Sequence, residues 1–164
     1  FNLSMLLDFK FGAKIFSGTN YQLYAYGLQK KTLTGRTKDN PAGSITANGI
    51  DESTGKPNKV TVTSQDYYRA ICDANIAEEF VYSADFIKLR ELSFGYTFPE
   101  KMLSHLGFVK GLSFSLVGRN LWTILKHTPN IDPESAINNS NAQGLEFNGY
   151  PTTRSIGFNL NVKF

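Results

Sequence analysis

The sequence predicts an all-β protein, an antiparallel sheet of four strands cut from a transmembrane β-barrel, with two long outer loops. Three observations carry that expectation. Four segments alternate apolar with polar residues over membrane-crossing lengths, the connections between them run long, short, long, and aromatic residues stand at the segment ends, Phe164 among them. Barrel strands cross the hydrocarbon layer in about 9–11 tilted residues, with long outer loops, short inner turns and aromatic girdles.

The first segment, residues 1–16, opens FNLSMLLDFKF. Phe1, Leu3, Met5, Leu7, Phe9 and Phe11 fall on one face, while Asn2, Ser4, Asp8 and Lys10 fall on the other with Leu6. A period of two is the strand signal. The alternation is under way at Phe1, with no Met and no leader before it, so a piece of a longer chain is expected. In the second strand, 85–98, Leu92, Phe94, Tyr96 and Phe98 alternate, but Ile87 and Leu89 have the opposite parity. The switch near Glu91 predicts a β-bulge, and Pro99 ends the strand because it has no N–H for the ladder. The third strand, 111–123, sets Leu112, Phe114, Leu116 and Trp122 on one face. The fourth, 153–164, sets Ile156, Phe158, Leu160, Val162 and Phe164 against Ser155, Gly157, Asn159, Asn161 and Lys163.

Between the strands lie two outer loops, 17–84 and 124–152, and an inner turn, 99–111. Loops this long generally carry function. In the first, Ser17 to Asn20 reads as a turn and Tyr21–Leu33 has helical spacing. Asn48-Gly49 reads as a tight turn, and Ser64 is expected to cap a helix over 65–74. If Phe164 marks the inner end, the strand directions follow. Phe98 and Phe164 then sit at the inner rim, Phe16 and Trp122 at the outer. A soluble antiparallel sandwich would alternate equally well, so the connections and rim aromatics favour the barrel. Four strands cannot close one, because open edges in lipid leave N–H and C=O groups unpaired.

Composition bounds the chemistry. Net charge is +3 without a basic cluster, so nucleic-acid binding is not expected. The lone cysteine, Cys72, permits no internal disulfide and reads as a small buried apolar residue. GIDESTGK at 49–56 fails the phosphate-loop pattern, with five residues between its glycines and Pro57 after the lysine. His105 and His127 are assigned to opposite sides of the membrane and cannot share a metal. Asp132 and Glu134 flank Pro133, a pairing more often structural or ligand-contacting than catalytic. No nucleophile, base and orienting group come together, so neither an enzyme nor a cofactor is expected.

Several segments in order resemble the SusC/RagA family of TonB-dependent outer-membrane transporters of Bacteroidetes. These are Phe86-Ile-Lys-Leu-Arg-Glu-Leu-Ser-Phe-Gly-Tyr-Thr-Phe-Pro99, Gly118-Arg119-Asn120-Leu121-Trp122, Asp132-Pro133-Glu134, Tyr150-Pro151 with Arg154, and the ending Phe158 to Phe164. The resemblance implies the last four strands of a 22-stranded barrel with an internal plug. It implies import of glycans, oligosaccharides or peptides with a SusD-like surface lipoprotein, energised through TonB by segments outside this chain. It also implies that Phe158, Leu160, Val162 and Phe164 form a signal for the barrel-assembly machinery. A passive pore or adhesin barrel, a trimeric anchor and a soluble all-β binding module are the alternatives; the 17–84 loop speaks against the trimeric anchor.

Overall fold

The computed structural model describes residues 1–138 and 140–164. Among the described residues nine strands appear in chain order: β1 (Asn2–Lys10), β2 (Lys14–Ser17), β3 (Ile45–Thr46), β4 (Thr61–Val62), β5 (Val81–Ser83), β6 (Phe86–Phe98), β7 (Gly111–Lys126), β8 (Leu145–Glu146) and β9 (Ser155–Lys163). The helices are α1 (Gly18–Ala25), α2 (Ser64–Asp73) and α3 (Glu100–Leu103), with short 3-10 turns after each.

The principal sheet has the order β1-β6-β7-β9, antiparallel throughout. Its register sorts the side chains by face, since directly opposed residues share a side. One row reads Leu3, Phe94, Leu116, Phe158; the next reads Asn2, Gly95, Ser115, Asn159. Apolar rows continue with Tyr96, Phe114, Leu160 and with Phe98, Leu112, Val162. Polar and small rows continue with Ser4, Ser93, Val117, Gly157 and with Thr97, Ser113, Asn161. The apolar face is uncovered: Phe1 is 89% exposed and Phe158 73%.

The expected bulge lies at Arg90. It has no partner on β1, where Leu6 faces Glu91 and Leu7 faces Leu89. On β7, Asn120 and Leu121 stand together between the partners of Glu91 and Leu89, and Asn120 takes a left-handed φ of +50°, which Asn tolerates better than most residues. The bulge has a definite effect. β1 is regular, so Met5 and Leu7 share a face, and their partners Leu92 and Leu89 share it too, despite opposite parity in sequence. The switch keeps the apolar face continuous.

Both long connections emerge at one end of this sheet and the short one at the other, following the predicted strand directions. Pro99 ends β6 and begins α3. The bounds differ in places. The first strand does not run to Phe16: it breaks at residues 11–13, where Gly12 has φ +81°, a conformation glycine adopts without strain. Phe16 therefore belongs to a second sheet and sits edge-on to Phe80 at 6.5 Å, rather than at a rim. The third strand runs three residues further, to Lys126.

The 17–84 connection is a packed layer rather than an open loop. β2 pairs antiparallel with β5 and parallel with β8, Phe16 opposite Leu145. Tyr24, Tyr68, Cys72 and Phe80 form a buried core against Phe16, Tyr21 and Ile71. Tyr24 meets Phe80 at 5.0 Å and Tyr68 at 5.3 Å, both edge-to-face, a geometry favoured by the ring quadrupole. Residues 17–20 are not a turn. Ser17 caps α1, its hydroxyl accepting from the Asn20 amide at 3.0 Å. The helix ends at Ala25, and residues 30–33 form a separate 3-10 turn. Thr63, not Ser64, caps α2, its hydroxyl accepting from the Asp66 amide at 3.1 Å and donating to the Asp66 carboxylate at 2.7 Å. Ser64 instead donates to the Thr34 carbonyl at 2.7 Å. Asn48-Gly49 is only a bend. The reversal comes at 51–55, where Asp51 accepts from the Ser53 amide at 2.8 Å and Gly55 has φ +63°.

Candidate functional site: the clasp between sheet and loops

Lys88 and Arg90 interrupt an otherwise apolar stretch of β6. Lys88 lies in the row Asp8, Lys88, Thr123, on the polar face near the loop end of the sheet. A lysine buried there requires counter-charge, since an unpaired buried ammonium is very costly. The 124–152 connection brings it. The Lys88 side chain, 4% exposed, donates to Asp132 at 2.6 Å and to Glu134 at 2.5 Å. Arg90 donates from Nε to Asp8 at 2.9 Å, from Nη1 to Asn120 Oδ1 at 3.3 Å and from Nη2 to Glu134. Two cations of the sheet thus hold two carboxylates of the loop, with Asp8 completing the cluster.

The loop acids are also held locally. Asp132 accepts from the Glu134 amide at 3.0 Å and from the Thr152 hydroxyl at 2.8 Å. Pro133 fixes the turn between the acids by locking φ. Burial opposes ionisation of Asp132, but hydrogen bonds from Lys88, the Glu134 amide and Thr152 outweigh it and bring its pKa down to about 2. Asn120, at the bulge, accepts from Arg90 and donates to the Thr153 carbonyl at 3.1 Å. The bulge therefore ties β7 to both.

A second junction joins the two long connections. Glu146, fully buried, accepts from Ser17 at 2.8 Å, from Thr19 at 2.5 Å and from the Gly149 amide at 3.1 Å. Three donors satisfy a carboxylate that forms no ion pair among the described residues. Asn20, also buried, donates to the Pro129 carbonyl at 3.0 Å and accepts from Asn130 at 2.9 Å. The Phe147 ring lies so close to Gly18 that a Cβ there would come within 2.0 Å of it. Beside the clasp is a cavity of about 560 Å³, with Lys10, Lys14, Glu134, Asn138 and Gln143 in its wall.

The chemistry of the clasp is electrostatic fastening. Its carboxylates are engaged by Lys88 and Arg90, and no group of three or more metal-ligating residues occurs among the described residues. His105 precedes β7 and His127 follows it, a full strand apart. Among the motif residues singled out in the sequence, Asn120, Asp132 and Glu134 come together, with Pro133 between the acids. Arg119 stands one row below and pairs with Glu91 at 2.9 Å. Leu121 lies over Gly118. Tyr150, 97% exposed, and Pro151 join no cluster. Phe158, Leu160 and Phe164 are exposed on the apolar side, Val162 is half-buried, and Phe164 stacks on Phe108 at 6.3 Å. Sequence reasoning missed Lys88, Arg90, Asp8 and Glu146 as structural centres. The available signal was a pair of cations inside a strand rich in Phe, Ile and Leu.

No family model matches the chain. Its sequence is similar to TonB-dependent receptor P3 of Formosa agariphila, 34% identical over 111 residues, and to TonB-dependent receptor P39 of the same organism, 32% over 118. These matches span 63% and 70% of this chain but only 11% of each relative. The fold matches the RagAB peptide transporter over 99% of this chain and 16% of that one, with a TM-score of 0.58 at 19% identity. The RagAB peptide importer matches in its open-open and closed-closed states, with TM-scores of 0.60 and 0.61 at 20% and 18% identity. At such identities the likeness speaks for the fold. The chain is thus similar in sequence to TonB-dependent receptors and in fold to part of the RagAB structures, in line with the resemblance read from the motifs.

Proposed function

We propose that this chain forms four adjoining strands and two outer loops of an outer-membrane importer for oligomeric nutrients. The importer takes up glycans, oligosaccharides or peptides, is energised through TonB, and works with a SusD-like surface lipoprotein. The observation that carries the reading is the two-faced sheet. The large side chains of one face are apolar or aromatic and mostly exposed, as lipid contact requires, while the other face is lined largely by Asn, Ser, Thr, Gly and charged residues, as a water-filled lumen requires. The exposed backbone edges of β1 and β9 would pair with further strands of a closed barrel.

In this reading the clasp holds the 124–152 loop over the lumen side of the outer mouth. Arg119, Asn120, Leu121, Asp132, Pro133 and Glu134 shape that mouth, and the exposed Tyr150 and Pro151 face the lipoprotein. Phe158, Leu160, Val162 and Phe164 present the assembly signal on the lipid side.

The test is growth of cells lacking the full-length gene on peptide mixtures or glycans as sole nutrient, with complementation in cells with and without functional TonB. Growth on one nutrient class that depends on both the gene and TonB is the expected result. Equal growth of deletion and parent on every class would overturn the reading, and gene-dependent growth that ignores TonB would leave a passive pore.

A further inference from the structure

Among the described residues, the packed layer of the first connection holds a buried side-chain donor without a partner, Arg36 Nε. Arg36 lines a small cleft between the end of α1, the 30–33 turn and the start of α2, together with Tyr24, Tyr68, Thr32, Ser64 and Gln65. The hydroxyls around it are committed. Tyr24 donates to Glu79 at 2.7 Å, Tyr68 to the Lys31 carbonyl at 2.7 Å, Thr32 to the Gln29 carbonyl at 2.6 Å and Ser64 to the Thr34 carbonyl at 2.7 Å. Arg36 differs. Its Nε is buried and has no acceptor, and its guanidinium forms no ion pair among the described residues. A buried donor left unmade costs about 1–3 kcal/mol and more when charged, so an external acceptor is favoured there.

Shape and charge narrow the choice. Among the acids of this layer, Glu79 is held by Lys31 and Tyr24, and Asp66 by Thr63. The cleft of about 210 Å³ is smaller than the roughly 300–1,000 Å³ of whole-ligand pockets. It therefore takes one group rather than a molecule. A guanidinium presents its donors as a planar fork that fits a carboxylate with two parallel hydrogen bonds. The tyrosines give the cleft flat walls, and the Gln65 amide adds a further polar group.

We infer that the Arg36 cleft is a carboxylate subsite at the outer mouth, which takes the acid group of an incoming ligand before it reaches the lumen. The inference rests on the import reading only for where that ligand comes from; the binding itself is measured without transport. The experiment uses the full-length barrel protein in detergent, with dansyl-Gly-Gly-Gly as a fluorescent probe and acetate as competitor. The C-terminal amide of the probe and an amidated dansyl-Gly-Glu-Gly separate a chain-end carboxylate from a side-chain one.

The parent protein should bind the free acid about tenfold or more tightly than the plain amide, the range of a charged hydrogen-bonded pair, and acetate should compete. If the side chain supplies the acid, the Glu-containing amide also binds. Arg36→Gln should erase the preference for acid over amide, and Arg36→Lys should keep part of it. The acid-to-amide ratio in the parent needs no variant, so a misfolded Arg36→Gln leaves the test intact. Equal binding of all three peptides, or no competition by acetate, would overturn the subsite, meaning that water alone satisfies Arg36. Failure of TonB-dependent growth with the acid preference retained would overturn the import reading instead.

Discussion

The two halves of this molecule treat apolar side chains in opposite ways. In the loop layer, Phe80, Tyr24, Tyr68 and Cys72 are packed inside, with Phe16, Tyr21 and Ile71 against them. In the four-stranded sheet, Phe94, Phe114, Leu116, Phe158 and Leu160 face outward and uncovered, while Ser, Asn and Gly line the other side. One half follows the rule for a protein in water, the other the rule for strands in lipid. In the importer reading, one chain is written for two solvents. The clasp of Lys88 and Arg90 marks the boundary, on the polar face where the sheet ends and the loops begin. Even the titrations of the loop layer suit a buried core, since burial and nearby Glu79 push the Tyr82 hydroxyl up to about 12 and Tyr24 higher still.

Breaking the boundary should have the largest effect. Lys88→Ala leaves Asp132 and Glu134 short of a partner in a nearly enclosed site. Removing one member of such a pair costs about 3–5 kcal/mol. Hydrogen exchange should show residues 127–152 losing protection while β7 and β9 keep theirs. Phe80→Ala attacks the water-side half alone. A deleted buried phenylalanine costs about 3–5 kcal/mol, and here the loss should appear as proteolysis within 17–84 with the barrel still assembled. Loss of both halves together would mean that they do not fold as separate layers.

A smaller effect is expected from pH. The Asp132 carboxyl has its folded pKa lowered to about 2 from an unfolded value near 3.9. Its contribution is therefore complete above about pH 4 and declines as pH falls toward 2, because the open state binds the proton first. Protection of residues 127–152 should fall across that window, and Asp132→Asn should flatten the change. The mildest test sharpens the link between the two connections. Gly18→Ala forces the Phe147 ring to move, at a cost of about 1–3 kcal/mol for overpacking. It should raise exchange around 145–149 without affecting the clasp.

Much of the sheet was legible from alternation alone, because each strand faces two unlike environments and a period of two records both. The bulge was legible as a parity error at Glu91. The break at Gly12 was not, because alternation continues across it to Ile15 while the backbone turns away. The loop layer was only partly legible. Its helices are short, its core draws single aromatics from distant segments, and the cap of α2 falls on Thr63, one residue before the expected Ser64. The clasp was half legible: Asp132, Pro133 and Glu134 stood out as a motif, but their partners lie 44 and 46 residues earlier, and a strand cation carries no mark of what will cover it.

Paired thiol labelling asks whether the two faces of the sheet meet different solvents. Single cysteines at Phe158 and Asn159, neighbours on β9, would be placed in the full-length protein in outer-membrane vesicles. Cys72 is buried, with its thiol pKa raised by burial, and stays silent. A nitrobenzoxadiazole label at 158 should be quenched by nitroxide lipids and not by aqueous iodide, and the label at 159 should show the reverse. Quenching of both labels by iodide alone would contradict the account and return the sheet to a protein dissolved in water.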